Sequence, residues 1–132
     1  MSTLVIDTIQ GKTTAGSINV RGEGSNNTNL QQGLIKAWAN VNQTSSQAIR
    51  DSFNIASIVD GGSGSTRSTL TSVMGNENYS VIATCTVVNN YNDNACAQEI
   101  TTSTYDLYCS NGSNAAVTDN SYAQSEILGD LA

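Results

Sequence analysis

Histidine and proline are both missing from this 132-residue chain, and only 12% of its residues are Asp, Glu, Lys or Arg. Without histidine, Ser-His-Asp and Cys-His catalysis are excluded, and so is a histidine-bearing zinc site. The three cysteines, Cys85, Cys96 and Cys109, include no CxxC pair. An odd count at irregular spacing is not a disulfide framework. They read as buried or semi-buried thiols, with room for a single late disulfide once the protein leaves a reducing cell. No apolar run approaches the roughly 18 residues of a membrane-spanning helix. The opening MSTLVIDTIQ carries an acid and no basic stretch, so it does not read as a secretory signal. The lack of proline removes one common guard of exposed strands, so sheet edges must be handled otherwise, for instance by pairing across subunits.

Positive charge is scarce as well. The five basic residues, Lys12, Arg21, Lys36, Arg50 and Arg67, are scattered, and the net charge is −6. Phosphate recognition needs clustered Lys and Arg, so nucleic acid is excluded as a partner, and binding to anionic lipid is opposed. What is abundant is uncharged polarity. Ser, Thr, Asn and Gln make up about two-fifths of the chain, against 38% hydrophobic residues. A surface of this kind suits a β-rich protein that packs against copies of itself, because few long charged side chains have to be ordered or desolvated there. Four Asn-x-Ser/Thr sequons, at Asn26, Asn42, Asn78 and Asn111, read as chance products of this composition.

The spacing of apolar residues predicts strands. In TLVIDTIQ, Leu4 and Ile6 alternate with Val5, Asp7 and Ile9, and a second short run covers Ser17 to Val20. RGEGSNNTN reads as a glycine- and asparagine-rich linker. Residues 1–30 are thus expected to be an N-terminal arm of two short strands with little core of its own, and residues 31–132 a separate domain. GLIKAWANVN is ambiguous. Leu30, Leu34, Ala37, Trp38 and Val41 form a helical stripe, whereas Ile35, Ala37, Ala39 and Val41 alternate as in a strand. AIRDSFNIASIVD predicts one strand with Ile49, Phe53, Ile55 and Val59 on a common face, and GGSGS a turn. RSTLTSVM is a weaker strand. YSVIATCTVV alternates through Tyr79, Val81, Ala83, Cys85 and Val87, and STYDLYCS through Tyr105, Leu107 and Cys109, while NNYNDNA reads as a polar loop. The whole predicts an all-β chain, a short β arm followed by a small antiparallel β-sandwich.

Motifs with chemical meaning fail on inspection. QGKTTAG matches the end of a phosphate loop, but the first glycine of GxxxxGK[ST] would fall on Ile6. NNYNDNACAQEI spaces Asn90, Asn92 and Asn94 like calcium ligands, but the loop's glycine position holds Ala95 and its closing glutamate position holds Thr101. Paired carboxylates could still hydrolyse glycosides, and Asp51, Asp60, Glu77, Asp93, Glu99 and Asp106 are available, but nothing marks any two as convergent; Asp93 and Glu99 are the two whose substitution would test a polysaccharide depolymerase. No cofactor and no metal site is expected, and no enzyme. Tyr91, Asp93, Tyr105 and Tyr108, near the Asn-rich loops, are candidates for receptor or carbohydrate contact. Trp38, the only tryptophan, reads as core or interface filling.

TLVIDTIQGKTTAGSINVRGEG followed by TNLQQGLIKAWANVN resembles the opening of tail-fibre-like and other virion structural proteins of tailed bacteriophages, marine cyanophages especially. IRDSFNIASIVDGGSG and MGNENYSV are similar to that family's later strand-and-turn segments, so the resemblance covers roughly residues 2 to 83. It implies a strand after GLIKAW with Trp38 on a β face, and it brings no catalytic residue. The chain departs from the family pattern in its small Ala39 and Val41 and in its three cysteines. The resemblance further implies a structural protein of the virion, assembled in the host cytoplasm and preferably a homotrimer. Its arm would hold sister chains or other virion proteins, with Leu4, Ile6, Ile9, Ile18, Val20 and Trp38 as assembly contacts. Its sandwich would face a host glycan or protein. A capsid-decoration, cement or neck protein is the near alternative, and a carbohydrate-binding module without an assembly role a more distant one.

Overall fold

A computed structural model of the chain describes residues 3–12, 17–86 and 93–131. Its sandwich consists of two four-stranded antiparallel sheets. The first has the order β4–β3–β10–β7, built from β3 (Ile35–Asn42), β4 (Ala48–Phe53), β7 (Ser80–Thr86) and β10 (Tyr122–Leu128). The second has the order β5–β6–β9–β8, built from β5 (Ile55–Asp60), β6 (Ser65–Leu70), β8 (Asp93–Gln98) and β9 (Thr104–Asn111). The first and last sandwich strands, β3 and β10, lie side by side at the centre of the first sheet. Such closure of the sandwich by distant segments ties the domain together through non-local pairing.

The core lies between the sheets, formed by Ala37, Ala39 and Val41 of β3, Ala123 and Ile127 of β10, Leu70 of β6, and Tyr105, Leu107 and Cys109 of β9. Met74 and Tyr79 seal one end. Burial pushes the Tyr79 phenol up to about 12, so it stays a neutral donor and its O–H donates to the Thr101 carbonyl at 2.8 Å. The other end is held by buried polar groups. The Gln43 amide donates to the Gly64 carbonyl (3.2 Å) and Thr66 Oγ1 (3.1 Å), and its oxygen accepts the Asn120 N–H (3.1 Å). A small core rich in alanine makes the fully bonded Gln43 amide important, since an unpaired buried amide is costly; beside it, Asn120 Oδ1 is buried without a hydrogen-bond partner.

The GLIKAWANVN ambiguity resolves into both forms in succession. Residues Leu30–Gly33 make a single helical turn (α1), capped by Asn29, whose Oδ1 accepts the Gln32 N–H at 3.1 Å. Leu34 is already extended, and β3 follows with Ala37, Ala39 and Val41 inward and Trp38 outward. The segment read as one strand over residues 48–60 is two strands in different sheets. The chain turns the corner at Asn54, which takes φ 58°. Its amide donates to the Lys36 (3.0 Å) and Ser72 (3.1 Å) carbonyls, and its Oδ1 accepts the Ser72 N–H at 2.6 Å. Asparagine tolerates this left-handed backbone where β-branched residues do not. As a result Phe53 and Val59 point to solvent rather than sharing an inner face with Ile55.

Two further expectations change. Part of the NNYNDNA loop is strand β8, whose inward residues Ala95 and Ala97 are too small to announce an alternating pattern. In the arm, residues 3–12 form no strand. The hairpin there pairs β1 (Asn19–Arg21) with β2 (Asn27–Asn29), so the expected linker supplies the second strand.

Candidate functional site

Outward side chains of the first sheet line up in rungs set by register. Trp38 stands opposite Phe53 on one side and Glu126 on the other, and Glu126 stands opposite Ile82. One row therefore crosses all four strands as Phe53, Trp38, Glu126, Ile82. Phe53 is 54% and Ile82 51% exposed, and Trp38 is half-buried between them. The neighbouring rung is polar throughout: Asp51, Asn40, Gln124 and Thr84. Trp38, Ile82, Thr84, Gln124 and Glu126 enclose a shallow recess of about 240 Å³. At the far end of the face, the Arg50 guanidinium lies 4.6 Å from the Tyr122 ring centroid and donates twice to the Ser121 carbonyl. An aromatic and aliphatic row flanked by amides and a carboxylate is a surface that can bind. It offers stacking area and directional hydrogen bonds.

The outer face of the second sheet is different in character. Arg67 donates to both oxygens of Asp106 (2.6 and 2.8 Å) and also to Glu99. Asp106 raises the Arg67 pKa, so the guanidinium is permanently charged. With two carboxylates on one cation, the cluster is electrostatically satisfied and is no anion site. Asp93 opens β8 and Glu99 lies one residue past its end, roughly 20 Å apart by strand rise. Glycosidic carboxyl pairs are separated by about 5–9.5 Å, so these two do not converge.

The expected contact residues divide accordingly. Tyr105 is fully buried, its hydroxyl 2.6 Å from Ser125 Oγ across the sandwich, and it is withdrawn from any receptor role. Strand parity explains why: Tyr105, Leu107 and Cys109 share the inner face, which sends Tyr108 outward to line the Arg67 recess. Asp93 is half-buried at the start of β8. Tyr91 lies outside the described residues, as do Asn90 and Asn92 of the calcium reading, while Asn94 is on β8. Among the described residues no cluster of three or more metal-ligating side chains occurs, and no helix is long and apolar enough to cross a membrane.

Of the arm residues, Leu4 and Val5 are 80% and 87% exposed, and Ile6, Ile9 and Val20 are also exposed. Ile18 is half-buried, and its carbonyl accepts the Leu30 N–H at 2.9 Å. Among the described residues none before Lys36 is buried. Lys36 itself is covered at the junction: burial lowers its pKa, Asp130 opposes that, and its ammonium donates to the Gln31 carbonyl. Sequence reasoning named Trp38 but missed Phe53 and Ile82 as its surface neighbours. Their parity was readable only with the Asn54 corner and the β7–β10 register known. Compared with family models, curated protein sequences and solved structures, the chain matches none.

Proposed function

We propose that this is a non-enzymatic structural protein of a tailed-phage virion, tail-fibre-like, attached through its N-terminal arm and exposing a β-sandwich for host contact or particle stabilisation. The observation that carries this reading is the aliphatic arm. Leu4, Val5, Ile6 and Ile9 are exposed on a chain whose core is complete without them. A cluster of solvent-facing aliphatics on an unpaired backbone is stabilised when another surface covers it. The resemblance of the same residues to phage virion proteins supplies the kind of surface: sister chains in a symmetric assembly, a trimer by preference, or another virion protein. Trp38 and its row belong to the outward-facing sandwich in this reading, and tail and capsid positions share the same architecture.

Deletion of residues 1 to 24 tests the proposal. The truncated chain is expected to stay soluble, with an unfolding midpoint close to that of the full chain, and to be absent from purified particles. Normal occupancy of the truncated chain on particles would place the anchor in the sandwich instead.

A second reading, a carbohydrate-binding module, is favoured by the Phe53–Trp38 surface row. It predicts binding of host surface glycans on an array, lost in Trp38→Ala and retained in Tyr108→Phe. A blank array at high micromolar protein would remove its support.

A further inference from the structure

Three cysteines allow three pairings, and the fold selects among them. Cys85 points inward from β7 in the first sheet, and Cys109 points inward from β9 in the second. β8 lies beside β9 with Ala95 opposite Cys109 and Asn94 opposite Ser110. The Cys85 thiol crosses to this rung. It donates to the Asn94 carbonyl at 3.0 Å, and the Cys85 and Cys109 thiols each perturb the other's pKa. Its sulfur is thus placed against Asn94, whose partner across β8 and β9 is Ser110, the residue next to Cys109. Cys96 is excluded by parity. It is paired with Tyr108, is exposed, and accepts a weak hydrogen bond from Gln98 Nε2 at 3.7 Å on the outer face.

We infer that Cys85 and Cys109 are an oxidisable pair that closes into an inter-sheet disulfide when the protein meets a small-molecule disulfide, and that Cys96 stays outside this bond. The reaction is two exchanges. The Cys85 thiolate attacks one sulfur of the small disulfide, forming a mixed disulfide and releasing one small thiol. The Cys109 thiolate then attacks the Cys85 sulfur, forms the protein disulfide and releases the second small thiol. The protein dithiol loses two electrons and two protons, and the small disulfide takes up both. Cys85 is the entry point because it is half-buried, whereas Cys109 has no exposed surface. Burial raises the pKa of both thiols, Cys109 more strongly, so little thiolate is present and closure is slow in the folded state. A bond here joins β7 to β9 across the core, constraining the unfolded chain over residues 85–109. The inference does not depend on the function proposed above.

The test uses the full-length chain carrying Cys96→Ser, purified reduced and incubated with oxidised glutathione, then acid-quenched. The expected product has lost two hydrogen atoms in intact mass, yields one cross-linked peptide containing Cys85 and Cys109, and unfolds about 10 °C higher than its reduced form. The wild-type chain should give the same cross-linked peptide, with Cys96 separately modified. A further Cys85→Ser substitution should abolish both the cross-link and the dependence of the midpoint on reductant. A product that stops as a glutathione adduct on Cys85, wild-type cross-links through Cys96, or two thiols still free to alkylate after denaturation would each overturn the inference.

Discussion

Replacing Gly64 by alanine is expected to destabilise the sandwich by about 4 kcal/mol, enough to remove much of the stability of a domain this size. Gly64 has φ +66°, in the left-handed region. A Cβ there would overlap the Cys109 carbonyl oxygen and stand 2.7 Å from the Thr118 amide nitrogen. Both are backbone atoms and cannot swing aside. Gly64 is also fully engaged: its N–H donates to Asp119 Oδ1 (2.6 Å), and its carbonyl accepts from the Cys109 N–H (2.7 Å) and from Gln43. Any retreat of the backbone loosens the β6 turn, the end of β9 and the Asn120 brace together. Gly62, two residues earlier, is the internal control. Its φ is +101°, but a Cβ there meets nothing within 4 Å. Gly62→Ala should therefore cost only the conformational penalty, about 1–2 kcal/mol. Denaturant unfolding of both variants gives the comparison. Equal losses would mean that crowding at Gly64 contributes nothing.

Tyr105→Ala is expected to cost about 3–5 kcal/mol, and Tyr105→Phe about 1–2 kcal/mol. Among the described residues Tyr105 is the largest fully buried side chain, and the residues paired with its partner Ser125, Ala39 and Ala83, are too small to fill a cavity. The phenylalanine variant keeps the ring but strands Ser125 Oγ, itself buried, without its 2.6 Å partner. Thermal or urea unfolding should rank wild type, Tyr105→Phe and Tyr105→Ala in that order. Indistinguishable midpoints with weakened receptor or glycan binding would instead return Tyr105 to the surface role that its neighbourhood in the sequence suggested.

The alternation of Val81, Ala83 and Cys85, and of Tyr105, Leu107 and Cys109, was enough to assign those strands but not to say which of their faces is inner, since Tyr105 was read as a contact residue. The GGSGS turn was legible because glycine at positive φ is its usual solution. The same logic left Asp93–Gln98 hidden, because alanine carries too little hydrophobic contrast to mark an inward face. It also joined residues 48 to 60 into one strand. Apolar residues continue on both sides of Asn54, and a single left-handed residue, invisible to periodicity, sends the second half into the other sheet. The arm was legible as apolar and lacking local partners. Which segments pair within it was not, since Asn27–Asn29 has no apolar pattern to mark it as the strand that pairs with Asn19–Arg21.

By itself, the order of residues determined that the chain is all-β and that it carries no histidine and only five scattered basic residues. Those properties follow from local periodicity and from residue types present or absent. Only the tertiary structure decided that Tyr105 is core while Tyr108 is surface, that Phe53, Trp38 and Ile82 share one rung, and that Cys85 rather than Cys96 faces Cys109. Each of these depends on register between strands far apart in the chain, and a shift of one residue would send every side chain to the opposite face.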